Sequence, residues 1–229
     1  MCREYWLPLK SHLKKYNSRL GLFLRLSLIL FVFNGFPILA YSQITVEKIK
    51  TLALQYQGDA QKRFNAWAKL MASLKNKPEL EQLEKVNSFF NQFEYQPDTG
   101  LGDNDDYWKS PIEFIVDGGG DCEDYAIIKY FSLITLGVPT EKLRITYVTS
   151  LTLNQAHMVL SYYPSPEAEP LILDSLESKI KKASKRPDLK PIYSFNGDGL
   201  WLTKKIGQGT SVGDPRSLNK WNDLIKRME

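Results

Sequence analysis

Apolar residues recur at helical spacing early in the chain and alternate later. Val46, Ile49, Leu52 and Leu54, then Phe64, Trp67, Leu70, Met71 and Leu74, predict two helices between Thr45 and Lys75, broken near Gly58. Pro78, a good first-turn residue, opens a third helix through Leu80, Leu83, Val86, Phe89, Phe90 and Phe93. Tyr95 to Gly120 reads as a connector rich in loops, with Pro97, Gly100, Gly102 and Pro111. After Asp121 a helix runs through Ala126, Ile127, Ile128, Phe131, Leu133 and Leu136, apolar on nearly every face and therefore buried, until Gly137 and Pro139 end it.

The period then changes to two. Residues 143–148, 157–163 and 170–174 read as strands, the last two joined by a short loop that suits antiparallel neighbours. The basic stretch Lys179 to Arg186 reads as a helical piece with a solvated face. Residues 193–195 and 200–202 suggest further strands, and 217–228 a closing helix. Helices first and strands later define an α+β domain, with the buried helix packed on an antiparallel sheet.

Residues 1–42 differ from all of this. Arg3, Lys10, Lys14, Lys15, Arg19 and Arg25 face one acid, Glu4, ahead of the apolar run Leu26 to Phe33 and a small-x-small site ending at Ser42. This is the pattern of a secretory signal peptide. The run is short for a membrane span and is interrupted by Asn34, Gly35 and Pro37, which argues against a retained anchor. The expected mature domain is 43–229, exported to the periplasm, with no stable membrane insertion. The excess of 30 basic over 26 acidic residues belongs to the leader. It is no argument for nucleic acid, and no nucleic-acid partner is expected.

Without the leader, the chain keeps one cysteine, Cys122, and one histidine, His157. A solitary thiol forms no internal disulfide and a solitary histidine builds no zinc site, so a nucleophile and its base is the reading that uses both. Cys122 follows Gly118-Gly119-Gly120-Asp121, at the first turn of the buried helix. Free N–H groups and the helix dipole there favour a thiolate and can stabilise an oxyanion. The alternative is a small core cysteine. His157 opens one predicted strand and Asp174 closes the next, so a hairpin sets the carboxylate beside the imidazole. Taken singly, His157 also suits a half-buried structural histidine, and Asp174 a turn residue before Ser175. Asp121, Glu123 and Asp124 crowd the thiol with acids, which either suit a helix N-terminus or await a hard cation such as calcium. Asp103 to Asp106 reads either as a weaker calcium-like loop, without the full twelve-residue pattern or the distal Glu, or as a solvated loop. Trp108 can line a substrate groove, donate its indole N–H to an oxyanion, or simply pack in the core.

Gly120-Asp121-Cys122-Glu123-Asp124-Tyr125-Ala126, Ala156 to Leu160 and Leu173-Asp174 together resemble the bacterial transglutaminase-like cysteine proteinases. Trp108, Pro111, Glu113 and Phe114 fit the same pattern, and the likeness runs from about Val86 to Trp221. The resemblance implies a papain-like/transglutaminase-like core with Cys122 as nucleophile, His157 as base and Asp174 as orienting carboxylate. It implies calcium (Ca2+) at Asp121 and Glu123, with Asp124 close by. It also implies a periplasmic protease that cuts a large surface adhesin near its N-terminus, often at a paired alanine, and so releases a biofilm-forming cell. An inner-membrane cyclic-di-GMP receptor would sequester the enzyme. The same three residues also suit a transglutaminase-type amide transferase or a cell-wall peptidase. A non-catalytic binding module on this scaffold is a further alternative.

Overall fold

The computed structural model describes residues 44–97, 107–205 and 208–229. The expected leader and the Asp103 to Asp106 loop lie outside the described residues. Two early helices form as the periodicity predicts: α1 (Val46–Gln55), capped by the Thr45 side chain, and α2 (Gly58–Leu74). Helix α3 (Glu79–Phe90) follows Pro78 and ends at Asn91. Phe64, Trp67, Met71, Leu83, Val86 and Phe90 are buried in one core.

The described part of the connector carries more secondary structure than its loop-like composition suggests. It holds β1 (Glu94–Tyr95), α4 (Pro111–Asp117) and β2 (Gly119–Gly120), with β1 and β2 paired in parallel. Helix α4 starts on a capping box in which Ser110 and Glu113 satisfy each other's backbone N–H, with Pro111 at the first turn. Gly118 ends it in the left-handed region at φ 82°. The next two glycines serve close approach rather than turning. A Cβ on Gly119 would fall 2.0 Å from the Glu94 carbonyl oxygen, and one on Gly120 2.3 Å from Asp124 Oδ2.

Helix α5 (Cys122–Thr135) runs through the core with Tyr125 to Leu133 buried. It lies against a seven-stranded antiparallel sheet of β3 (Leu143–Ser150), β4 (Gln155–Tyr162), β5 (Leu171–Leu173), β6 (Lys181–Lys182), β7 (Leu189–Phe195), β8 (Leu200–Lys205) and β9 (Gln208–Gly213). Their spatial order is β6-β5-β4-β3-β7-β8-β9. Leu143, Ile145, Met158, Leu160, Leu173 and Phe195 join the core with α5. Val159 and Ile172, of opposite parity, form a separate cluster with Val148 and Leu189. Helix α6 (Asn219–Met228) closes the chain, with Trp221 stacked on Phe131.

Two sequence expectations change. Lys179 to Arg186 is not helical: it forms edge strand β6 and a 3-10 turn over Ala183–Lys185. Its last residue, Arg186, is buried rather than solvated, because it has carboxylate partners inside. Strand β9, polar and glycine-rich, carried no alternating signal to read.

Candidate active site

The turn that begins α5 is fixed by its own side chains. Asp124 Oδ2 accepts the Asp121 N–H at 3.2 Å, and Oδ1 accepts the Lys109 N–H at 2.7 Å. Burial pushes the Asp124 carboxyl up to about 8, with the Asp121 charge adding to it, while these two N–H bonds pull the other way. Cys122 stands one residue past the N-cap and is partly exposed. Its thiol donates to Glu123 Oε2 at 3.1 Å. Burial pushes the Cys122 thiol far above its ordinary range, and Glu123 and Asp121 push the same way; the backbone N–H of Met158, one residue beyond His157, lowers it only in part. The helix N-terminus alone therefore does not make a thiolate here, because burial and two acids, Glu123 and Asp121, oppose it.

His157 and Asp174 meet as the hairpin geometry predicts. Leu160 of β4 pairs with Leu173 of β5, which brings the chain just past β5 alongside the start of β4. His157 Nε2 lies 2.7 Å from Asp174 Oδ1, and both residues are buried. Burial alone would raise the Asp174 carboxyl. Hydrogen bonds from His157 and the Leu176 N–H, with the Arg186 ion pair, overcome it and hold Asp174 at about 2. The ionised carboxylate only accepts, so Nε2 carries the proton and Nδ1 is left as the basic nitrogen.

Arg186 went unnoticed in the sequence. Its Nη2 lies 2.8 Å from Asp174 Oδ2 and 2.7 Å from Asp188 Oδ2, and its Nε adds a bond to Asp188 Oδ1 at 3.0 Å. The guanidinium is thus forked on Asp188 with one arm on Asp174. Asn91 holds the same corner from α3, its Nδ2 donating to the Asp174 main-chain oxygen at 2.8 Å.

Trp108 belongs to the core. It is 5% exposed and stacks on Phe195 with ring centroids 5.6 Å apart. Its carbonyl oxygen accepts from Arg227 of α6. Among the described residues, no three His, Cys, Asp or Glu side chains gather closely enough to hold a metal ion. Asp121, Glu123 and Asp124 are nonetheless all buried within one helical turn, and two of them raise the neighbouring thiol. Crowded, oxygen-only donors of this kind fit a hard divalent cation. No helix among the described residues is long and apolar enough to cross a membrane.

The thiol thus stands at a helix end, the imidazole on β4 and the carboxylate just past β5. The profile of the bacterial transglutaminase-like cysteine proteinases matches residues 55–189, more than half of the chain, and the protein belongs to that family of cysteine proteases. Among solved structures it is similar to LapG of Legionella pneumophila, at 68% identity and a TM-score of 0.75 over 82% of this chain and 99% of that one. An EGTA-treated form of that LapG matches equally well. Its calcium-bound form matches at 68% identity and a TM-score of 0.74, over 81% of this chain and 100% of that one. No curated protein sequence matches.

Proposed function

We propose that the protein is a calcium-dependent periplasmic endopeptidase in which Cys122, His157 and Asp174 form the catalytic triad. The observation that carries the reading is the buried 2.7 Å contact between His157 and the ionised Asp174, with Cys122 at the head of the helix that packs on β4, the strand carrying His157. Asp174 fixes the imidazole tautomer and stabilises the imidazolium that forms. Nδ1 of His157 takes the thiol proton as the sulfur attacks the peptide carbonyl carbon. The electron pair of the carbonyl moves onto its oxygen, where free N–H groups at the start of α5, Cys122 among them, stabilise it. As the oxyanion collapses, the C–N bond breaks and the imidazolium protonates the leaving amine. Water, deprotonated by the same Nδ1, then hydrolyses the thioester and frees the thiol.

The acids around Cys122 work against this chemistry. Asp121 and Glu123, with Asp124 close by, would hold a calcium ion whose positive charge offsets their effect on the thiol. The calcium-bound form of the Legionella pneumophila protein supports this choice of ion. The leader-like residues 1–42 support export to the periplasm. Family resemblance supports a large surface adhesin as substrate and an inner-membrane cyclic-di-GMP receptor as regulatory partner.

Replacing the nucleophile tests the reading directly. Cys122→Ala is expected to abolish cleavage of an adhesin N-terminal fragment and to leave the thermal melt nearly unchanged; His157→Ala and Asp174→Ala should also lose cleavage. Retained cleavage by Cys122→Ala would refute the assignment. Adding EGTA should lower both activity and melting temperature, and restoring calcium should recover them, since a ligand that binds only the folded state stabilises it. A protein indifferent to EGTA, with no bound metal by mass spectrometry, would remove calcium from the account.

A further inference from the structure

Helix α5 carries a lysine sealed from water. Lys129 is 1% exposed. Its ammonium donates to Asn91 Oδ1 at 2.7 Å and otherwise stands 5.6 Å from the centre of the Tyr125 ring. A buried cation with so few partners is costly, and an apolar side chain would fill the same space without that cost. Burial pulls Lys129 down to about 7, while the negative Asp174 pulls it back up. Its position on the helix places it close to the chemistry. Cys122 and Lys129 are two helical turns apart, so they share one face of α5.

Asn91 joins the two regions. One end of its amide accepts from Lys129, and the other donates to the main-chain oxygen of Asp174. An ammonium can only donate and a carbonyl can only accept, so the amide has one possible orientation. Asp174 needs this anchor. Strand β5 is three residues long and ends at Leu173, so the Asp174 backbone lies beyond its ladder.

We propose that Lys129 is a positioning residue for the Asp174–His157 pair. It acts through Asn91, whose amide it locks so that the carboxylate at the end of β5 meets Nε2 of His157. Without the ammonium, Asn91 is free to rotate and the Asp174 carbonyl loses its donor. The carboxylate then drifts, and the imidazole loses the partner that orients Nδ1. The inference rests on the triad reading given above.

The test uses the full chain and three variants: Lys129→Met, which keeps the stem and removes the charge, Asn91→Ala, and the two combined. Two readouts are independent of one another. The first is the Nε2–H proton resonance of His157, which has only His12 to be distinguished from. The second is hydrolysis of a quenched fluorescent peptide carrying a paired alanine. Lys129→Met should retain a cooperative melt, shift the His157 resonance, and lower kcat about tenfold with KM within about twofold. Asn91→Ala should do the same, and the double variant should be no worse than the worse single one, as expected for groups acting in series. A folded Lys129→Met with the native resonance and native kcat would overturn the proposal, as would additive losses. If Lys129→Met does not fold, Asn91→Ala decides by the same two readouts. If the native protein hydrolyses no peptide, the proteolytic reading fails, and the resonance alone decides whether Lys129 positions the pair.

Discussion

Asp174 is gripped at three points: His157 and the Leu176 N–H on Oδ1, Arg186 on Oδ2, and Asn91 on its main-chain oxygen. Arg186 is the strongest of these outer contacts, because it brings a full charge into a place that is 8% exposed. Arg186→Gln should destabilise the fold by about 3 kcal/mol, since it strands two carboxylates near each other. Urea denaturation will measure this, and peptide hydrolysis should fall with it. Arg186→Lys should recover part of the stability but not the fork. His157 and Asp174 were legible in the sequence because strand alternation and a short connecting loop place them without any knowledge of the rest. Arg186 was not. It sits in a run of lysines that face solvent, and only the turn after β6 carries it back to Asp174.

The turn that carries Cys122 is assembled from pieces that are separate in sequence. Strand β1 pairs with Gly119 and Gly120, and Asp124 reaches back to Asp121 and across to Lys109. A methyl group on Gly120 would sit against the Asp124 carboxylate, 2.7 Å from its Cβ. Gly120→Ala should therefore cost about 1–3 kcal/mol as overpacking, and it should reduce turnover because Asp124 must leave the Asp121 N–H. A variant with native melting temperature and native activity would contradict this account of the turn. The helix that precedes the turn was readable: Ser110, Pro111 and Glu113 spell a capping box, but the glycines and prolines around them spoke more loudly for a loop. Strand β9 had no such signal, since its sequence Gln208-Gly209-Thr210-Ser211-Val212-Gly213 lacks apolar alternation.

For the whole molecule, the His157–Asp174 contact ties the proposed site to acid stability. The folded protein holds Asp174 at about 2 against an ordinary value of 3.8. In acid the unfolded chain takes up this proton first. The stabilisation is thus complete above about pH 4 and is lost as pH falls toward 2, a change of roughly 2 kcal/mol. Asp174→Asn lacks that component. The stability gap between native protein and variant should therefore narrow between pH 4 and pH 2 in urea titrations, and a constant gap would contradict the pairing. The overall class was legible because helices precede strands and α5 is apolar all round. The long-range ties were not, since they join side chains to distant backbone. One such tie runs from Arg227 to the Trp108 carbonyl, next to the Lys109 N–H that fixes Asp124. Proteolytic nicking ahead of Arg227 would thus slacken the opening turn of α5 from more than a hundred residues away, so that clipped molecules lose the geometry of that turn while still carrying all three side chains of the proposed triad.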